Sequence, residues 1–327
     1  MKKVSYLNAV RDGIAEEMRK DPTIFMIGEG ISERGGSYAQ TKNLWAEFGD
    51  ERIVDAPISE NGWAALSVGA AENGLRPIMD IMICDIINEM GAQIFNQASK
   101  NCYLSNGQIT TPIVIRAQGG GGIFAGHHSS TLYSVAMHYP GMKVIYPGSV
   151  YDAKGLMKTA LHCNNPVYFC EDKTVFGKRE EIPEEEYYVP FDEAAIRREG
   201  KDATVVAIGG MNWRVMNALS KGMIEENIEV IDPRCLYPLN FKEIRESVKK
   251  TGRLVIVEDD FITCGAAAEI AALVTADPEL FNCLKAPIER VCMPDITHPY
   301  AMSLVKACFP DEEKIAAAVK KVCAEGK

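Results

Sequence analysis

Glu60 stands in Pro57-Ile58-Ser59-Glu60-Asn61-Gly62, at the mouth of a stretch from Trp63 to Asn73 that is almost entirely small or apolar. A carboxylate there must be stabilised by the dipole of a helix N-terminus, or by a ligand that offsets its desolvation. Pro57 and Gly62 punctuate a strand-to-helix turn, and Ser59 is expected to cap the helix. Ala64, Ala65, Ser67, Gly69, Ala70 and Ala71 would let that helix pack closely against another backbone. Taken alone, Glu60 needs nothing beyond the dipole, because acids are common at helix starts.

Two other segments could carry chemistry. Gly119-Gly120-Gly121-Gly122-Ile123-Phe124-Ala125-Gly126-His127-His128-Ser129-Ser130 follows the apolar run Ile113 to Arg116. Glycines at the C-terminal end of a strand admit a ligand close to the backbone, and that edge is where open α/β sheets bind. His128 is delivered there on a loop, as a structural histidine or a proton carrier. Gly120-x-Gly122-x-x-Ala125 also fits a dinucleotide fingerprint in form. However, histidines and serines follow where an apolar helix should begin, and no acid stands about 20 residues on to hold a ribose, the nearest being Asp152. The third segment, Met82 to Gln97, mixes Asp85, Asn88, Glu89 and Gln93 into apolar residues and reads as a helix with one wet face.

The elements that must position these residues follow from periodicity. Strands are expected at Ile24 to Ile27, Arg52 to Val54, Pro77 to Ile81, Ile113 to Arg116, Lys143 to Tyr146 and Val167 to Cys170, with helices near 5–19, 61–73, 86–102 and 150–162. That order is α/β with a mainly parallel sheet. The charged stretch from Lys178 to Glu186, followed by Pro190, reads as a linker. A second, smaller α/β pattern then runs from Ala203 to a last helix near 311–323. The expected division is 1–178, a linker 179–195, and 196–327.

Composition narrows the classes. The chain has 327 residues, 47% hydrophobic and 24% charged, which suits a globular protein with two cores and not a disordered one. A net charge of −10, with no run of Lys and Arg longer than two residues, argues against a nucleic-acid partner. The ten cysteines include no Cys-x-x-Cys pair and are expected as small buried hydrophobes in a reducing, cytoplasmic setting. Neither a signal peptide nor an apolar stretch of membrane-spanning length is expected.

Taken in order, Ile27-Gly28-Glu29, Asp55-Ala56-Pro57-Ile58-Ser59-Glu60-Asn61-Gly62, Val68-Gly69-Ala70-Ala71, Gly74-Leu75-Arg76-Pro77, Pro112-Ile113-Val114-Ile115-Arg116, His128-Ser129, Pro140-Gly141-Met142-Lys143-Val144 and Pro299-Tyr300-Ala301 resemble the β subunit of the thiamine-diphosphate-dependent first component of 2-oxo acid dehydrogenase complexes. The resemblance implies a transketolase-like pyrimidine domain followed by a transketolase C-terminal domain. In that family the matching glutamate, Glu60, hydrogen-bonds a ring nitrogen of the aminopyrimidine and promotes the tautomer that deprotonates the thiazolium. A buried carboxylate with a raised pKa would suit the exchange. The cofactor-binding set implied is Glu29, Ile58, Glu60, Met82, Ile86 and Glu89. His128 matches the histidine on the substrate side of the thiazolium. A structural potassium ion is implied at backbone carbonyls near Ile113, Ala160, Cys163 and Asn165.

The family clamps magnesium with a Gly-Asp-Gly and a later Asn-Asn. Here there is no Gly-Asp-Gly, so Asn164-Asn165 has no upstream partner. The resemblance therefore implies that a separate α subunit supplies the magnesium site in an α2β2 assembly, which feeds a lipoyl acyltransferase core. Ile86 replaces a usual phenylalanine, His127 a glutamine and Trp63 a smaller aromatic, while Thr297-His298 also depart from relatives. Pyruvate, branched-chain 2-oxo acids and acetoin all remain open as substrates, with a lean to acetoin from Phe169-Cys170-Glu171-Asp172-Lys173 and Ile182-Pro183-Glu184-Glu185. A split transketolase is the main alternative, although Ser59 stands where its relatives carry arginine. A nicotinamide-dependent dehydrogenase is the weaker one.

Overall fold

Six short runs of buried aliphatic residues, alternating with amphipathic segments, build the first half of the chain into parallel β-structure. In the computed structural model, which describes every residue except Gly122, Ile123, Ala125 and 325–327, the chain divides into two compact units. The first comprises Met1–Gly119, Val135–Ile145 and Val150–Phe191; the second comprises Gly120–Ser134, Tyr146–Ser149 and Asp192–Lys327.

The elements up to Phe191 are β1 (Lys2–Ser5), α1 (Tyr6–Lys20), β2 (Ile24–Gly28), α2 (Leu44–Phe48), β3 (Ile53–Asp55), α3 (Glu60–Glu72), β4 (Arg76–Asp80), α4 (Asn101–Leu104), β5 (Val114–Gly119), α5 (Tyr133–Met137), β6 (Lys143–Ile145), α6 (Val150–His162), β7 (Val167–Asp172) and β8 (Arg179–Ile182). Within the first unit the strands lie in the order β3-β2-β4-β5-β7-β6, all parallel. Strands β2, β5 and β7 are buried along their whole length, as expected for a sheet covered on both faces. Helix α1 buries Tyr6, Val10, Ile14 and Met18, a stripe at spacing four. Against it, Lys154 and Lys158 of α6 reach the two oxygens of Glu16 at 2.6 and 2.8 Å.

Three features depart from the sequence reading. Within the expected linker, Arg179–Ile182 pairs antiparallel with Lys2–Ser5, and the first unit continues to Phe191. Its charges lie along a two-stranded ladder at the surface, a pattern that composition alone reads as solvent. The helix expected over 86–102 is broken into a 3₁₀ turn, Cys84–Asn88, a π-helical stretch, Ala92–Ala98, and the short α4. Cys84, Ile87 and Met90 are buried at spacing three, which fits a 3₁₀ coil, whereas Met90, Ile94 and Ala98 are buried at spacing four, which a wider coil serves. Of the cysteines, only Cys84, Cys170 and Cys235 are buried, and Cys264 is exposed. The others are partly buried, Cys163 in the loop after α6 and the rest on helices or strands that the core covers only in part.

Arg116 crosses the middle of the first sheet with no solvent exposure. Its Nε and Nη2 donate to Glu171 of β7 at 2.5 and 3.2 Å, and its Nη1 donates to Asp80 of β4 at 3.4 Å and to the Gln40 carbonyl at 3.2 Å. Burial opposes its charge, but Glu171 and then Asp80 outweigh that and hold the guanidinium above its ordinary value.

The second unit contains β9 (Ala195–Arg198), β10 (Thr204–Ala207), α7 (Met211–Ser220), β11 (Glu229–Asp232), β12 (Cys235–Tyr237), α8 (Lys242–Thr251), β13 (Leu254–Phe261), α9 (Ala266–Ala276), α10 (Pro278–Cys283), β14 (Glu289–Met293), α11 (Met302–Cys308) and α12 (Glu312–Ala324). Its sheet has the order β14-β13-β10-β11-β9, parallel except for β9. Val205, Val230, Val255 and Val257 pack with Val215 of α7 and with Ile315 and Val319 of α12 in one core.

Arg116→Leu leaves Glu171 and Asp80 buried without their cation. It should cost about 3–5 kcal/mol, the range for breaking a buried ion pair from one side. Urea denaturation midpoints at constant m-value measure it, and a loss below about 1 kcal/mol would show that the pair holds little of the fold.

Candidate active site

The parallel sheet of the first unit turns over at the C-terminal ends of β2, β3 and β4, and the cofactor-binding residues expected from the sequence follow those three strands. Gly28 ends β2 against β4 so closely that a Cβ there would meet the Asp80 carbonyl at 2.5 Å, hence glycine. Glu29 follows directly. The turn is tied by Asp55 at the end of β3, whose Oδ1 accepts the N–H groups of Ile31 and Ser32 at 2.6 and 3.1 Å. Ala56 then donates to the Gly28 carbonyl, and the chain enters α3 at Glu60.

Glu29 is half-buried, and its Oε1 is enclosed with no hydrogen-bond partner. Burial, then the charge of nearby Glu60, hold the Glu29 carboxyl above the usual carboxylate range, with the Trp63 side chain pulling the other way. Glu60 itself is only partly buried, which corrects the expectation of a buried acid: in this chain one side of its surroundings is open. Ser59 occupies the N-cap position, yet its side chain accepts no cap bond, because its backbone, at φ −161° and ψ 60°, is outside the usual cap geometry. Instead, Gln93 of the π-helical stretch donates to Asn61 at 2.8 Å and ties the first turn of α3 in place. Trp63 is buried beneath that turn.

The turn after β4 brings the remaining residues of the predicted set. Met82 has a left-handed backbone, φ +61°, and its N–H donates to Asp80 Oδ1 at 3.2 Å. The Ser37 hydroxyl donates to its sulfur at 2.8 Å. Ile86 is partly buried on the 3₁₀ turn, while Glu89 is exposed. Ile58 stands 85% exposed next to Glu60, a large apolar side chain with no cover from this unit.

His127 and His128 belong to the second unit and are both exposed. Within their segment, the Phe124 N–H donates to the Ser129 hydroxyl at 3.0 Å. Gly122, Ile123 and Ala125 of the dinucleotide-like pattern lie outside the described residues. Among the described ones the next helix begins only at Tyr133, so no helix N-terminus opens on the glycines.

At the carbonyls suggested for potassium, Ile113 already accepts from Val167, Ala160 from Cys163, and Cys163 from the Arg76 guanidinium at 2.6 Å. Asn164 accepts from Arg76 at 3.2 Å, and Asn165 donates to the Gly141 carbonyl at 3.2 Å, so both side chains brace loops. Among the described residues no group of His, Cys, Asp or Glu is arranged to hold a metal, and no helix is long and apolar enough to cross a membrane.

Asp80, Gln40 and Arg116 set the conformation at Met82 but were not among the candidates. Gln40 donates to Asp80 Oδ1 at 3.3 Å, the same oxygen that takes the Met82 N–H. A signal was present: Arg116 is the one charge within Ile113 to Ala117, and acids close the apolar runs Pro77 to Met79 and Val167 to Cys170.

The raised Glu29 carboxyl has a consequence for stability. A group that binds its proton more tightly folded than unfolded favours the fold below its folded pKa, and that gain is lost as pH rises through it. Glu29→Gln should therefore raise the thermal midpoint at pH 7, with the difference shrinking towards pH 4, where the parent is also neutral. A difference independent of pH across that range would sink the assignment.

The chain matches the models for the transketolase pyrimidine binding domain over residues 2–178 and the transketolase C-terminal domain over 192–315. It is 40% identical to the acetoin:2,6-dichlorophenolindophenol oxidoreductase subunit beta of Cupriavidus necator, covering 100% of this chain and 99% of that protein. It is 41% identical to the pyruvate dehydrogenase E1 component subunit beta of Rickettsia felis, over 98% of each chain, and 38% identical to the mitochondrial subunit beta-1 of Arabidopsis thaliana, over 100% and 91%. A split-gene transketolase, solved as an inactive β4 tetramer, superposes with a TM-score of 0.79 at 20% identity, over 99% of each chain, and shares the fold. With both transketolase domains and about 40% identity over its whole length, the chain belongs to the family of E1 β subunits of pyruvate and acetoin dehydrogenases, subunits of thiamine-diphosphate-dependent enzymes.

Proposed function

We propose that this chain is the β subunit of a heteromeric thiamine-diphosphate-dependent dehydrogenase that cleaves a carbon–carbon bond next to a carbonyl, in a 2-oxo acid such as pyruvate or in acetoin, and passes the acyl unit to lipoamide on an acyltransferase. The observation that supports it best is the carboxyl pair at the sheet edge: Glu60 on the first turn of α3 and Glu29 beside it, whose enclosed oxygen makes no well-formed hydrogen bond although the Trp63 indole lies near it. An unpaired buried acceptor next to a second acid suits a ligand that brings N–H donors, as an aminopyrimidine does.

When bound, the cofactor supplies the electron sink that makes the carbon–carbon bond breakable. The residues of this chain orient it and place protons. Glu60 would hydrogen-bond the aminopyrimidine ring nitrogen, and Glu29, its carboxyl held above the usual range by burial and then by the charge of Glu60, would stand beside it. Met82 and Ile86 offer an apolar wall, with Ile86 giving an aliphatic contact in place of an aromatic one. His128, exposed on its segment, is assigned to proton transfer at the substrate.

The magnesium clamp is assigned to an α subunit carrying Gly-Asp-Gly and Asn-Asn in an α2β2 assembly. Partial exposure of Glu60, and the outward Ile58 and Leu66 at 85% and 57%, support a half-site that a second chain closes. The potassium implied near the Ile113, Ala160, Cys163 and Asn165 carbonyls is assigned a structural place only and enters no step; the first three accept one protein donor each and keep a second lone pair.

Glu60→Gln, co-expressed with an α chain, should lower turnover on pyruvate or acetoin by about 10²–10⁴-fold, the usual worth of a positioned acid–base group. Size-exclusion chromatography should show assembly unchanged. Turnover within twofold of the parent would remove Glu60 from the mechanism, and full activity of the isolated chain would overturn the half-site.

A further inference from the structure

Among the described residues, the segment that carries His128 shows no regular strand or helix pairing until Tyr133. Ser129, Ser130 and Thr131 bury polar side chains, and Leu132 is held in the left-handed region at φ +49°. A leucine in that conformation persists only where its surroundings over-determine it.

Those surroundings include the end of β13. There Glu258, Asp259 and Asp260 lie side by side, 0, 1 and 3% exposed. Strand β13 keeps register with β14 through Val257 and shifts before Phe261, so the three acids fall on an irregular stretch that re-aims side chains. Each accepts a separate hydroxyl: Tyr133 donates to Glu258 at 3.0 Å, Ser134 to Asp260 at 2.7 Å, and Tyr146 to Asp259 at 2.8 Å. The acids are fixed from behind. Glu258 accepts the Ala267 N–H of α9 at 3.1 Å and the Cys292 thiol at 3.5 Å, and a Cβ at Gly265 would come within 2.4 Å of its oxygen. Asp260 accepts the Phe261 N–H at 2.9 Å. Burial, then the charge of Asp260, push the Glu258 carboxyl up to about 7.

The other end of the segment is also confined. A Cβ at Gly126 would lie 3.1 Å from the Thr297 methyl and 3.6 Å from the His298 carbonyl, and the buried His298 ring lies 5.2 Å from that of Phe261. His127 and His128 are thus the exposed residues between two fixed ends.

We propose that Glu258 and Asp260 are positioning residues for His128, acting through Tyr133 and Ser134 to fix the base from which the imidazole projects. The inference rests on the role given to His128 above. Tyr146 and Asp259 form the comparison, because they make the same kind of bond from the same acid run to a segment without the histidine, and Tyr146→Phe removes only the hydroxyl while keeping the ring that lies 5.4 Å from that of Tyr133.

Hydrogen–deuterium exchange on the full chain tests the anchor independently of any activity. The double variant Tyr133→Phe, Ser134→Ala should speed exchange across 127–132 by about tenfold, near the worth of one net hydrogen bond, while Tyr146→Phe leaves it unchanged. Thermal unfolding checks that both are folded. In the enzyme assembled with its α chain, the double variant should lower kcat by about ten- to hundredfold with little change in KM, as for a misplaced catalytic group. Unchanged exchange, or the same change from Tyr146→Phe, overturns the anchor. His128→Asn separates the two readings: if it costs turnover and the double variant does not, positioning alone fails, and if it is harmless, the role of His128 fails with it.

Discussion

The first unit depends on one buried cation. Arg116 is fully enclosed, and its guanidinium binds Glu171 in a two-pronged contact while reaching Asp80 and the Gln40 carbonyl. Burying a charge is unfavourable unless its hydrogen-bonding groups are satisfied, so these partners cannot vary independently. The constraint reaches the site through Asp80. One of its oxygens meets Arg116; the other takes the Gln40 amide and the Met82 N–H, which holds Met82 at positive φ. The geometry of the turn after β4 is therefore set by an ion cluster inside the sheet.

The acids at the edge follow a different logic. Glu29 and Glu60 lie close enough for the charge of one to disfavour the charge of the other, and Glu29 is left with an enclosed, unpaired oxygen. A fold optimised only for stability would remove one of them, since a buried acceptor without a donor costs about 1–3 kcal/mol. Their retention on rigid turns, braced by Asp55 and by the Gln93–Asn61 bond, is the arrangement expected where a ligand supplies the missing donors.

The fold was legible where burial alone decides structure. The strands at Ile24, Pro77, Ile113 and Val167 and the helices near 5–19 and 150–162 begin within one residue of their expected places, because each satisfies one period continuously. Met82 to Gln97 was not legible as a regular element, because its buried residues change spacing from three to four, and only the surrounding sheet and α3 select the tight and wide coils that follow. Strand β8 was hidden by its charges, since Arg179, Glu180 and Glu181 match surface sequence until a partner strand, Lys2–Ser5, is known. In the site, Glu60 stood out by type and spacing. Its partial exposure and the orphaned oxygen of Glu29 are three-dimensional facts that no spacing encodes.

The degree to which Glu60 is covered also bears on how the function is divided. A proton-placing carboxylate works best where water is excluded, since neighbouring charges and dipoles then act at full strength. This chain supplies the backbone frame for Glu60, through α3, Trp63 and the Gln93 tether, and leaves its outer side and Ile58 uncovered. A frame built without its cover lets the acid stay solvated while the chain is alone. In the proposed assembly the same frame would draw on an α subunit for the dry environment and for the metal site.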